Sequence, residues 1–215
     1  MDKDYTHISL IIDRSGSMSD SWSDVCGGYE ALVRENKAAS GKCTMTVAAF
    51  DDRYELVEDF TDISKVKSTL NTSPRGMTAL FDAIGKTVVS VGEKLATMKE
   101  KDRPSKVIVM IQTDGLENVS KEFTKHSIKK LVKEQEDKYD WQFLFIGASL
   151  EAAQQASDCG LKLGNISTYS IDSSRDAFAT LGTKMSAMRG ATTKAAYMAA
   201  SAFSEEEVKI MNKVG

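Results

Sequence analysis

Four apolar runs of strand length, separated by longer stretches of helical periodicity, limit most strongly how this chain can fold. The runs are His7–Ile12, Cys43–Phe50, Lys106–Gln112 and Trp141–Ile146, each rich in β-branched or aromatic residues. Ser19–Ala39 and Ala79–Met98 carry apolar side chains at helical spacing, for example Leu80, Ile84, Val88, Val91 and Leu95. Thr124–Glu136, Leu150–Ser157 and Ser174–Met188 also read as helices. Strands alternating with helices predict an α/β fold, a doubly wound and mostly parallel sheet with helices on both faces. One hairpin breaks the rhythm. Cys43–Phe50 is followed by Asp51-Asp52 and a second strand-like run, Tyr54–Phe60, which predicts one antiparallel edge strand. Asn165–Ile171 reads as the last strand.

Composition narrows the function classes. The 215 residues are 41% hydrophobic and 27% charged, as expected of a globular domain able to bury a core without staples. With 28 basic and 31 acidic residues the net charge is −3, which disfavours a protein whose main task is neutralising nucleic-acid phosphates. The Lys-rich segment Lys121–Lys138 is interleaved with Glu122, Glu134, Glu136 and Asp137, so it reads as a solvated helix face. No apolar run approaches bilayer-spanning length, and the polar start Met1–Tyr5 lacks the marks of a secretory leader. Cys26, Cys43 and Cys159 are odd in number and far apart, and read as reduced thiols of a cytoplasmic protein. Two histidines, His7 and His126, leave little material for imidazole chemistry, and Trp22 and Trp141 read as core residues.

The oxygen-bearing residues are placed more tellingly. The first strand runs into Asp13-Arg14-Ser15-Gly16-Ser17-Met18, and the strongest core strand ends at Thr113-Asp114-Gly115. A third loop, Arg75-Gly76-Met77-Thr78, opens the helix near Ala79. Ligands of open parallel sheets bind outside the carboxyl ends of the strands, so Asp13, Ser15, Ser17, Thr78 and Asp114 fall on one rim. All five offer hard oxygen donors, a set that suits magnesium or manganese and disfavours zinc. If the three neutral hydroxyls bind a divalent ion directly and the two carboxylates act partly through water, the ion is left under-neutralised, and its open position attracts an external carboxylate or phosphate.

These segments resemble the metal-ion-dependent adhesion site of von Willebrand factor type A domains. Asp13-x-Ser15-x-Ser17, Thr78 and Asp114 fill all five positions of that pattern in order, over a stretch from about Thr6 to Arg189. The resemblance implies a six-stranded sheet with one antiparallel edge, a site holding Mg2+ or Mn2+, and no catalysis. The residues matching Ser15, Ser17 and Thr78 bind the ion in the family; those matching Asp13 and Asp114 bind it directly or through water. A partner protein's Asp or Glu completes the shell. The profile is closer to intracellular bacterial or phage-type members than to secreted adhesion members. Residues 1–189 would then form the domain. Residues 190–215 would be an Ala/Thr-rich extension ending in a short helix, for which Ser204 and Glu207 supply a capping box. Whether Thr192–Phe203 docks on the domain, docks on a partner or stays flexible is open at this level.

Other readings of the same residues stand beside this one. Asp13, Ser15 and Ser17 can cap a helix and satisfy turn amides, with Thr78 an N-cap and Asp114 a turn residue. A phosphate cradle at the helix after Ser17 lacks both the P-loop pattern and a nearby lysine. Magnesium-assisted phosphoryl transfer or hydrolysis at the rim is the enzymatic alternative, with Asp13 as nucleophile. It lacks a second Asp, because Ser15 stands there. Glu117 and Asn118 are either ligand-orienting or ordinary loop polars. Met18 and Met77 either form an apolar collar for a partner or pack beneath the loops. Self-assembly and membership of a larger assembly are both open to such a module.

Overall fold

The computed structural model describes residues 1–213. Six strands form one sheet: β1 (Asp2–Asp13), β2 (Lys42–Phe50), β3 (Tyr54–Asp62), β4 (Pro104–Thr113), β5 (Gln142–Gly147) and β6 (Ile166–Thr168). Their order is β3-β2-β1-β4-β5-β6. All neighbours are parallel except β2 and β3, whose antiparallel pairing makes β3 the edge strand that the hairpin predicts. The turn between them is closed by Asp51, whose carboxylate accepts the Arg53 N–H at 2.7 Å.

The central strand β1 is buried from Tyr5 to Asp13, so apolar residues fall on both of its faces, with Ile8, Leu10 and Ile12 on one and Ile11 on the other, and the polar Thr6, His7 and Ser9 are buried with them. Its two faces feed two cores. Ile8, Leu10 and Ile12 pack with α1 (Trp22–Ala38) and later with α5 (Ser174–Gly190). Ile11 faces α2 (Leu80–Thr97), α3 (Lys125–Tyr139) and α4 (Leu150–Asp158). Helix α3 starts at a full capping box formed by Thr124 and Ser127, and ends at Asp140 in the left-handed conformation.

Element boundaries shift in ways with local causes. The first helix is delayed to Trp22 because Gly16–Ser19 forms a 3-10 turn over the end of β1. The last strand shrinks to three residues, flanked by 3-10 turns at Leu163–Asn165 and Ile171–Ser173. Beyond Gly190 the sequence suggests one short helix; the structure has two, α6 (Lys194–Ser201) and α7 (Glu205–Met211). Thr193 caps α6 through the Ala196 N–H. Tyr197 explains why this Ala-rich piece docks, since its buried ring joins the α1/α5 core and its hydroxyl donates to Val107 O at 2.7 Å. Met211 is buried in the same core, and Asn212 Nδ2 donates to Thr168 O, covering the end of β6. No helix among the described residues is long and apolar enough to cross a membrane.

Trp141 is buried and Trp22 packs against the core, as expected. Cys26, Cys43 and Cys159 are all free thiols. Met18 is fully buried beneath the loops while Met77 is exposed, so the two methionines part company.

Candidate metal centre

Strand order reverses between β1 and β4. From β1 the chain goes outward to β2 on one side, and the later strands add on the other. The crevice beyond the carboxyl ends of these two strands is the switch point where open α/β sheets bind ligands. Asp13 is the last residue of β1, and Asp114 follows the last residue of β4.

Asp13 is fully buried. One carboxylate oxygen accepts the Ser15 N–H at 2.6 Å, folding the chain back in an Asx-turn, and the other accepts a short hydrogen bond from the Thr113 hydroxyl. The Ser15 and Ser17 hydroxyls lie 3.2 Å apart, and Ser17 donates to Asp114 Oδ1 at 2.8 Å. Thr78 arrives from the third loop. A methyl group built on Gly115 would stand 3.5 Å from its Oγ1, which places that hydroxyl against the residue following Asp114. All five residues singled out in the sequence therefore converge from three loops.

The loops are tied to one another by their backbones. Gly16 N donates to Gly76 O at 3.1 Å and Arg75 N donates to Arg14 O at 2.8 Å. Gly76 has φ of +67° and packs directly on the Asp52 carboxylate, so conformation and space both demand glycine. Two braces lie beneath the loops, the first with no counterpart in the sequence reading and the second built from Glu117 and Asn118, one of whose two readings was ligand-orienting. Buried Asp51, at the hairpin turn, contacts Arg75 Nε at 2.7 Å and Arg14 Nε at 3.2 Å, while its backbone carbonyl accepts from Ala79 N. Burial opposes the charge of Asp51, but Arg75, the Arg53 N–H and Arg14 outweigh it and hold its carboxyl below the usual range. Only its Asp-Asp turn identity was legible in sequence; its partners come from remote segments. The second brace is the loop after β4. Asn118 accepts the Thr78 N–H at 3.0 Å and returns its own N–H to Thr78 O, and Glu117 accepts the Phe81 N–H at the start of α2. Both residues thus orient the Thr78 loop from behind. His126 is exposed on α3.

The electrostatics are unusual for a pair of carboxylates. Burial raises Asp13 to about 6, against the hydrogen bonds from Thr113 and Ser15 that favour its charged form; Asp114 adds to the rise. Burial also raises Asp114. Neither carboxylate is ion-paired to a basic side chain among the described residues. Two neighbouring acids without a counter-charge, set among three hydroxyls, are the donor set a hard divalent cation needs. No group of three or more His, Cys, Asp or Glu among the described residues could hold a metal. This cluster has only two such residues and would rely on hydroxyls and water for the rest.

No family profile and no curated protein matches the chain. Solved structures do. Proximal thread matrix protein 1 from the mussel byssus, in a form with a zinc-occupied MIDAS motif, is similar at a TM-score of 0.57 and 17% identity, over 86% of this chain and 47% of that one. This chain therefore spans less than half the length of that structure. A von Willebrand factor type A protein from Catenulispora acidiphila aligns at 0.60 and 12% identity, covering 86% and 43%. The manganese-loaded TRAP protein of Plasmodium vivax aligns at 0.54 and 13%, covering 83% and 75%. At these identities the likeness concerns the fold. The chain has the six-stranded, Rossmann-like α/β architecture of von Willebrand factor type A domains.

Proposed function

We propose that this chain is a divalent-cation-dependent protein-interaction module whose metal-ion-dependent adhesion site is formed by Asp13, Ser15, Ser17, Thr78 and Asp114. The observation that carries the reading is the buried Asp13 carboxylate, without a cationic partner among the described residues, at the switch point of the sheet, accepting the Ser15 N–H beside the hydrogen-bonded pair Ser17 and Asp114. In this reading Ser15, Ser17 and Thr78 present hydroxyl oxygens, while Asp13 and Asp114 supply charge directly or through water. A bound Mg2+ or Mn2+ would act as an electrophile for a carboxylate from outside. The partner contributes an Asp or Glu, either from a larger assembly or from another copy of the chain. The oxygen donor set favours magnesium or manganese. Zinc occupies the MIDAS motif of the byssus protein, so zinc belongs in the same titration.

We take the role as binding without catalysis, in the cytoplasm, in the manner of intracellular bacterial or phage-type relatives. The nearest basic residues support this, since Arg14 and Arg75 are engaged by Asp51 and brace no phosphoryl group. We take residues 1–189 as the domain and 190–215 as an extension packed on it through Tyr197 and Met211.

Titration of metal-free protein with Mg2+, Mn2+ and Zn2+ tests the site. The double variant Asp13→Ala/Ser15→Ala should lose the metal-induced rise in melting temperature. A wild-type response in that variant would move the site elsewhere. A pull-down run with magnesium and again with chelator then reads the partner, which should be captured only with the ion.

A further inference from the structure

The amino-terminal edge of the sheet, opposite the rim, carries a cavity of about 750 Å³. It lies where β1, β2 and β4 begin and where α5 hands over to α6. Its charged lining is Lys3, Lys106, Arg189 and Lys194 against Asp4 and Asp140. That is four positive charges to two negative, in a chain whose net charge is −3.

The cations are not equally engaged. Lys194 pairs with Asp140 at 2.6 Å. Neither Lys3, Lys106 nor Arg189 has a carboxylate partner among the described residues. Arg189, only 6% exposed, donates to carbonyls at the end of α1 and in the loop after it, including Asn36 O and Gly41 O, and its Nε–H has no acceptor. Lys106 is half-buried and gives one hydrogen bond, to Arg189 O at 2.6 Å, leaving two ammonium protons uncommitted. Burial and the nearby Arg189 pull the Lys106 ammonium below its ordinary range, with Asp4 opposing. The cavity is also bordered by Thr193 and Lys194, where α6 starts and presents amide N–H groups lacking helical acceptors. Hydroxyls of Ser40, Ser105 and Thr192 complete the border.

We propose that this cavity binds a phosphate dianion, held by Lys106, Lys3 and the amino end of α6, with Arg189 supplying fixed positive charge from below. A half-buried ammonium next to a buried guanidinium, neither with a carboxylate partner, is relieved by a doubly charged oxyanion in the cavity they border, and ammonium groups with free amides are the donors such an anion takes. The cavity is much larger than one phosphate, which leaves room for the organic part of a phosphomonoester. The site is independent of the rim and needs no metal.

Calorimetric titration in chelator, at constant ionic strength, tests this with three probes: inorganic phosphate, glucose 6-phosphate and chloride. Saturable binding of either phosphate, with none of chloride, is expected; the phosphomonoester binding tighter would name it as the source, and free phosphate alone would name the ion. Lys106→Gln should weaken binding by about tenfold or more, the scale of one charge-assisted hydrogen bond. Lys130→Gln, exposed on α3, should leave it unchanged. If Lys106→Gln disturbs the fold, Lys194→Gln and the amide NMR shifts of Lys194 and Ala195 on adding phosphate carry the decision. Binding that survives these substitutions in folded protein, absent amide shifts, or heat indistinguishable from chloride overturns the proposal.

Discussion

Replacing Asp13 with Asn separates the cost of an uncompensated buried charge from the benefit of the metal. Without a metal, burial pushes the Asp13 carboxyl up from its ordinary 3.8 to about 6. The folded state therefore prefers the protonated acid. Below about pH 4 the acid is neutral in both states and costs nothing; the cost grows as pH rises from about 4 to 6 and is constant above. Roughly two pKa units correspond to about 3 kcal/mol. The amide can keep the local bonds. Its oxygen accepts from Ser15 N–H, and its NH2 donates to Thr113 Oγ1, whose own proton then goes to Gly115 O, already 3.1 Å away. In chelator at pH 7.5, Asp13→Asn should thus be more stable than wild type by about 1 to 3 kcal/mol, and the difference should vanish toward pH 4. With Mg2+ at about 100 times its Kd, wild type should gain about 2.7 kcal/mol, or about 5 to 11 °C in melting temperature for a chain of this size. The Asn variant should gain almost nothing. Denaturant melts across pH, with and without the ion, read both effects. An Asn variant less stable than wild type in chelator, or one that keeps the magnesium gain, refutes the reasoning.

Asn118→Ala removes the acceptor for Thr78 N–H. It should cost about 1 kcal/mol of stability and weaken metal binding more than it weakens the fold, as seen by manganese titration. His7 is fully buried, with burial and then Lys94 lowering it to about 3. Its neutral form is favoured in the fold, so stability should fall as pH drops below about 6.5, by up to about 1.4 kcal/mol per unit. His7→Phe, which preserves the stacking on Phe60, should flatten that slope in acid melts. A chain ending at Gly190 uncovers the core beneath Tyr197 and Met211; it should lose several kcal/mol and bind a hydrophobic dye, whereas a native melting curve would show residues 1–189 to be self-sufficient. Rim metal binding depends on ionised Asp13, so affinity should fall as pH drops through 6, by about tenfold per unit, in a manganese titration.

What could be read from residues alone was whatever depends on local periodicity. Apolar runs such as Leu10–Ile12 and Val107–Ile111 mark strands buried on both faces, and the Leu80–Leu95 spacing marks α2, because hydrophobic burial dictates those patterns wherever the strands sit. Four of the five rim residues were legible for a related reason: β1 and β4 are parallel, so their carboxyl ends face the same way and Asp13, Ser15, Ser17 and Asp114 gather there, whereas Thr78 reaches the rim from the loop before α2 and has no such strand-end reason. Tertiary structure alone decided the rest. It set Asp51 against Arg14 and Arg75, joined Asn118 to Thr78, parted buried Met18 from exposed Met77, and drew Tyr197 into the core. Those pairings join residues 24 to 90 positions apart, and no local propensity encodes which distant carbonyl or carboxylate a buried donor will meet. Only the packing of the whole chain, which penalises unpaired polar groups in the interior, selects them.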